Sequence, residues 1–294
     1  PIVVAGAQFV LGPLPGTPFA IPLDAGTSDA GPALMASIPT FASIIVPSGE
    51  AGKSFGGSVS SDSIAVGVSL AGMGSGYWVL PAGAPDPMAP TELSYAFKAS
   101  FDADIPGGMH DMLVVGIGPS GAAGHQQSLP LCFQSVIPDN GHACNPKKDP
   151  PAAVMSLHWD SNFDLDLHVI TPDGVDINPK DPFGDPLDGS VNTQPSPPPG
   201  IDRDSLRGCV PDGLRREDVV FQDPIPHGSY LIYVDPFAAC GQPATRFTFT
   251  LYQTTGTCPD CSLQPIESKS GELLASQVTG GGSTGLFVDQ LNVF

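Results

Sequence analysis

Leu157-His158-Trp159-Asp160-Ser161-Asn162-Phe163-Asp164-Leu165-Asp166-Leu167-His168-Val169 is the stretch whose reading decides the fold. Apolar side chains take the odd positions: Leu157, Trp159, Phe163, Leu165, Leu167 and Val169. Polar ones take the even positions: His158, Asp160, Asn162, Asp164, Asp166 and His168. A repeat of two is that of an extended chain with one face buried. Ser161 breaks the apolar row, which predicts a bend or bulge in an otherwise two-sided strand.

The same repeat recurs upstream. Ile64, Val66, Val68 and Leu70 alternate with small or polar residues, and so do Tyr95, Phe97, Ala99 and Phe101. Tyr77 to Leu80 and Met112 to Ile117 read as further strands, with glycine- and proline-rich turns between them. Short strands at this spacing predict β-sandwiches. The 35 Gly and 34 Pro in 294 residues exclude long helices, because both residues break helix interiors. The predicted fold class is all-β, two tandem β-sandwich domains with an apolar N-terminal extension. The expected boundaries are 1–45 for the extension, 46–144 for the first sandwich, 145–151 for a linker and 152–294 for the second sandwich. The extension either packs on the first sandwich or is donated as a strand to a neighbouring molecule.

A formal charge of −19, with 11 Lys+Arg, excludes the basic footprint of a nucleic-acid binder. It suits solubility outside the cell and the binding of hard cations, and it serves plain solvation equally well. No apolar run reaches the length of a membrane span. An extracellular or cell-surface location after signal-peptide removal is expected. Six cysteines, Cys132, Cys144, Cys209, Cys240, Cys258 and Cys261, predict disulfides and an oxidising compartment, with nearest-neighbour pairing the economical arrangement. Cys258-Pro-Asp-Cys261 also has the spacing of half a zinc site or a redox pair, although no second such pair and no following helical pattern accompany it.

Two resemblances add to this reading. Residues Pro106, Gly107, His110, Val114, Val115, Gly121 and Gly124 are similar to the closing pattern of Ig-like repeats of bacterial surface proteins. The run Asp164-Leu165-Asp166-Leu167-His168-Val169 with Pro172-Asp173-Gly174 resembles the YfaP-like family of secreted bacterial β-sandwiches. The later pieces of that pattern are Ile201-Asp202-Arg203-Asp204, Glu217-Asp218 and Pro226-His227-Gly228-Ser229-Tyr230-Leu231-Ile232-Tyr233-Val234. This resemblance covers about 152–256 and departs from the family in the proline-rich loop 178–200. It implies fold and compartment, and carries no activity.

The predicted site is a Ca²⁺ site in the second domain. Ca²⁺ takes roughly six to eight oxygens, often from carboxylates two residues apart. Asp164 with Asp166, Asp202 with Asp204, and Asp212 and Glu217 are the candidates. Arg203, Arg207, Arg215 and Arg216 offer the competing reading, ion pairs that neutralise these carboxylates. Loop bracing by Asp164 and Asp166 offers another. His168 reads as a structural histidine, Tyr230 as a corner brace, and Tyr77-Trp78 as core and edge with a sugar platform as the rival. Gly52-Lys53-Ser54 lacks the first glycine of a phosphate loop, HExxH is absent, and no GxSxG nucleophile elbow on a strand-to-helix framework is readable, so no enzyme is expected. The expected function is a structural or adhesive component of a bacterial surface. Its partners are itself, as a filament built by strand addition, or other surface components. The alternative is a module that binds carbohydrate or another envelope polymer.

Overall fold

A computed structural model describes residues 2–18, 34–37, 39–184 and 198–294. Most of the proline-rich run in 185–200 and much of the 1–45 segment lie outside them. Among the described residues there are strands and two 3-10 turns but no α-helix, so the all-β expectation holds. None contains a helix long and apolar enough to cross a membrane. The chain divides into two compact units, Pro1–Val136 and Ile137–Phe294.

The first unit contains β1 (Ile2–Val4), β2 (Gln8–Leu11), β3 (Thr17–Pro18), β4 (Thr40–Phe41), β5 (Ile45–Val46), β6 (Lys53–Ser60), β7 (Ala65–Leu70), β8 (Met73–Pro81), β9 (Pro85–Asp86), β10 (Ala89–Phe101), β11 (Gly108–Ile117) and β12 (His125–Phe133). One sheet runs β1-β10-β6-β4 with β9 on β10. The other runs β2-β8-β7-β11-β12-β3 with β5 on β12. The alternating residues Val66, Val68, Leu70, Tyr95, Phe97, Ala99 and Phe101 form the core between them. Ile64 precedes its strand and is exposed.

The described part of residues 1–45, expected to be an extension, belongs to this unit. β1 pairs with β10 and β2 pairs with β8, so the segment supplies a strand to each sheet of its own chain. Ile2 and Val4 are buried, and the Ile2 carbonyl accepts the Trp78 indole N–H at 2.9 Å. Phe9 packs on the Trp78 ring with centroids 5.2 Å apart. Trp78 is thus half-buried, with its polar handle taken, which is core and edge rather than an open sugar platform.

The second unit contains β13 (Ala153–Trp159), β14 (Asp164–Ile170), β15 (Asp176–Ile177), β16 (Gly200–Ile201), β17 (Arg216–Phe221), β18 (Gly228–Ala238), β19 (Ala244–Thr255), β20 (Ser262–Leu274) and β21 (Leu286–Val293). Its sheets run β16-β17-β13-β19-β20 and β15-β14-β18-β21. The deciding stretch is therefore two strands in different sheets, not one strand with a bulge. The break at Ser161 is where the chain crosses the sandwich. Both apolar rows still face one core, from opposite sides: Leu157, Trp159, Phe163, Leu165, Leu167 and Val169 are all essentially fully buried. The Trp159 indole N–H donates to the Phe163 carbonyl at 2.8 Å and closes the corner. Tyr230 donates its hydroxyl to the Pro226 carbonyl at 3.0 Å, as expected of a corner brace.

The unit boundary falls at 136/137, earlier than the expected linker at 145–151. The reason lies in side chains. The Asn140 amide donates to the Asp149 carbonyl and to Gln222, and the His142 ring lies against the Lys148 and Cys261 carbonyls. These bonds tie 137–151 to the second unit. All six cysteines are disulfide-bonded, among them Cys209–Cys240 and Cys258–Cys261. Bonded to each other, Cys258 and Cys261 offer no thiolates to a zinc ion.

Candidate metal centre

β14 sets the site. Leu165, Leu167 and Val169 point into the core, so Asp164, Asp166 and His168 must point out of it. On an ordinary sandwich that face would meet water. Here all three residues are buried.

Part of the cover is the loop between β16 and β17. Its residue Leu206 plugs into the core at 1% exposure. Leu206, Cys209 and Arg215 all hold positive φ, a conformation that in non-glycine residues persists only where the surroundings enforce it. The Leu206 side chain, the Cys209–Cys240 disulfide and two buried acceptors provide that enforcement. Asp164 Oδ2 accepts the Gly208 N–H at 2.8 Å. Glu217 Oε1 accepts the Ser205 N–H at 3.3 Å, while its Oε2 accepts the Leu167 N–H at 2.7 Å. Glu217 thus clamps the loop to the open edge of β14.

The loop delivers Asp204. One ligand atom each from Asp164, Asp166 and Asp204 lies within 4.8 Å of the others. Burial pushes the Asp164 carboxyl up to about 6, partly offset by the Gly208 N–H. Burial, then the charges of Asp164 and Asp204, push Asp166 up to about 7. Asp204 is raised by burial against the opposing pull of Arg207.

Asp166 differs from its neighbours. It is 5% exposed, yet among the described residues nothing donates a hydrogen bond to it. Buried carboxylates ordinarily have donors or a counter-charge. The arginines do not supply one. Arg203 pairs with Asp202, Arg216 with Asp218, and Arg215 bonds Asn162. Arg207 reaches Asp204 at 3.5 Å from a largely exposed position.

Of the six predicted ligands, Asp164, Asp166 and Asp204 converge. Asp202 turns away to accept the Asp218 N–H. Asp212 accepts the Ser205 hydroxyl and the Leu214 N–H. Glu217 has both oxygens on backbone N–H groups; its carboxyl is pushed well above its ordinary range by complete burial. Asp202, Asp212 and Glu217 are therefore braces of the loop, outside the cluster.

Sequence reasoning passed over Asp235. It lies directly across from Asp166 in the β14–β18 register and is completely buried. Asp166, His168 and Asp235 form a second set of ligand atoms within 4.8 Å of one another. The signal was present: Tyr230, Ile232 and Val234 are the inward row of β18, so Asp235 falls on the same outer face as Asp166.

No protein-family model and no curated protein matches the chain. Among solved structures, the C-terminal domain of the AgI/II polypeptide BspA of Streptococcus agalactiae is similar over 76% of this chain and 93% of that one. The identity is 10% and the TM-score 0.21, a likeness that carries no argument about fold or function.

Proposed function

We propose that this chain is a non-catalytic structural or adhesive component of a bacterial cell surface, and that a Ca²⁺ ion held by Asp164, Asp166 and Asp204 locks its second, YfaP-like sandwich. The observation that carries the cation is Asp166: a carboxylate on a residue only 5% exposed, beside two others, with no hydrogen-bond donor among the described residues. A divalent ion supplies the missing counter-charge, and all-oxygen donors suit a hard cation. The surface role draws support from the disulfides, which persist in oxidising compartments, and from a rigid all-β build. In this reading the ion is a fastener. It fixes the loop 202–215 on β14 and makes the module stiff where calcium is abundant.

Calorimetric titration of Ca²⁺ into the chelator-treated full chain tests the site. The expected result is saturable binding with a rise in the unfolding temperature of the second unit. No heat and an unchanged unfolding temperature at millimolar Ca²⁺ would refute it.

A further inference from the structure

We infer that Asp166 is shared between two cation positions, and that the second, made by Asp166, Asp235 and the Nε2 of His168, takes a borderline transition ion such as Zn²⁺. This goes beyond the calcium reading, because it stands on Asp235 and His168 rather than on Asp164 and Asp204.

Three observations carry it. First, Asp235 is completely buried, and its Oδ2 has no hydrogen-bond partner. Its Oδ1 accepts the Thr279 hydroxyl, which fixes the carboxylate in place. An unpaired carboxylate oxygen in a closed interior leaves a desolvated charge uncompensated.

Second, His168 is already oriented as a metal-binding histidine is. Its Nδ1 lies 2.9 Å from Asp176 Oδ2. With the proton on Nδ1, the lone pair of Nε2 faces away from Asp176, and no described residue bonds it. A carboxylate behind one ring nitrogen and a metal in front of the other is a recurrent supporting arrangement for zinc ligands.

Third, Asp166, His168 and Asp235 each offer one ligand atom within 4.8 Å of those of the other two, and no hydrogen bond joins the three side chains. Zinc–ligand bonds of about 2.0–2.2 Å place tetrahedral ligand atoms about 3.4 Å apart, so ligands around one ion are close without bonding each other.

The donor type selects the ion. Imidazole nitrogen is a poor ligand for Ca²⁺ and a good one for Zn²⁺. Two carboxylates balance a divalent charge, and three protein ligands leave one coordination position for water. The first position, with three carboxylates and no nitrogen, retains its preference for the hard cation.

The test uses the full chain without a histidine tag. It is stripped of metal and dialysed against Zn²⁺, Ca²⁺ or both, and bound ions are counted by native mass spectrometry and elemental analysis. The wild-type chain is expected to bind one Zn²⁺ at this position. Asp235→Asn and His168→Gln are expected to weaken Zn²⁺ at least tenfold while leaving Ca²⁺ binding in place. Asp204→Asn is expected to do the reverse. Cobalt(II) substitution gives an independent readout, a visible spectrum of mixed nitrogen and oxygen donors that His168→Gln alters. Zinc affinity unchanged within twofold in both Asp235→Asn and His168→Gln overturns the inference, as does a wild-type chain that retains no Zn²⁺. Zinc binding that depends on Asp235 in a chain without Ca²⁺ affinity would uphold the zinc position and sink both the calcium reading and the sharing of Asp166.

Discussion

Replacing Asp166 by Asn is the perturbation whose sign separates a cation ligand from a structural carboxylate. In the cation-free protein Asp166 is pushed from 3.8 up to about 7, chiefly by burial and then by Asp164 and Asp204, with His168 pulling the other way. Each step of one in pKa is worth about 1.36 kcal/mol, so holding this carboxylate ionised in the folded state well above pH 7 costs ~4 kcal/mol. The folded state binds more protons than the unfolded chain between the two pKa values. Stability of the chelated protein therefore falls as pH rises from about 4 through about 7, and Asp164, pushed up to about 6, contributes in the same direction. Asn keeps the shape and discards the charge, and it forfeits no hydrogen bond among the described residues. At pH 8 with chelator, Asp166→Asn should exceed the wild type by up to ~4 kcal/mol. At roughly 2–4 °C per kcal/mol for a unit of this size, the unfolding temperature rises by as much as ~8–16 °C. Saturating Ca²⁺ should raise the wild type alone. Binding contributes about 4.1 kcal/mol at a thousand times Kd, so only near that excess does the wild type draw level. The assay is thermal unfolding followed by Trp159 fluorescence in a Trp78→Phe background, since the chain has two tryptophans. A chelated Asn variant less stable than the wild type at pH 8 would refute the reasoning, because Asp166 would then be holding structure together through its charge.

Two further outcomes follow from the same geometry. Cys209→Ser with Cys240→Ser opens a bridge between residues 31 apart, which by chain entropy costs the second unit ~3–4 kcal/mol in urea unfolding; Ca²⁺ affinity should fall too, because the Gly208 N–H that orients Asp164 sits on the freed loop. Deleting residues 1–11 removes β1 and β2 from their own sheets and uncovers Trp78, so the unfolding midpoint of the first unit should drop and Trp78 emission shift to the red; an unchanged midpoint would favour a segment donated to another molecule.

The fold was legible where burial alternates. Tyr95, Phe97, Ala99 and Phe101 form one inward row, as read. The repeat of two reports which side chains face a core, but it is silent about which sheet a strand joins. Both halves of 157–169 satisfy it from opposite walls of the sandwich, and Ser161 marks the crossing rather than a bulge. Composition could not decide, for a related reason, whether the first forty-five residues pack on the first sandwich or join a neighbouring molecule. β1 is three residues long and β2 four, too short for a repeat to show, and their role depends on pairing with β10 and β8, distant in sequence. The run 145–151 has the composition of a linker, yet its place is decided by Asn140 and His142, which composition ignores.

The site was legible in part, and the division has a physical cause. Carboxylates at i and i+2 share a face only on an extended chain. That condition holds in β14, so Asp164 and Asp166 stay together. It fails in the loop after β16, so Asp202 turns to the Asp218 N–H while Asp204 turns to the cluster. Glu217 illustrates a different limit: an acidic residue in a pattern of acids reads as a ligand, whereas its position beside an unpaired strand edge makes it an acceptor for Leu167 and Ser205. Asp235 required the register, because it belongs to the site only by lying across from Asp166. The outward row of a strand is normally its solvated face, and charge there is uninformative. Charge on the outward face of two paired strands, at positions that come out buried, is informative, since burial without donors is relieved only by protonation or by a counter-ion. Asp235 and Asp166 should therefore respond to metal, while Asp202, whose two oxygens accept from the Asp218 N–H and Arg203, and Asp212, whose Oδ1 accepts from the Ser205 hydroxyl and the Leu214 N–H, should not.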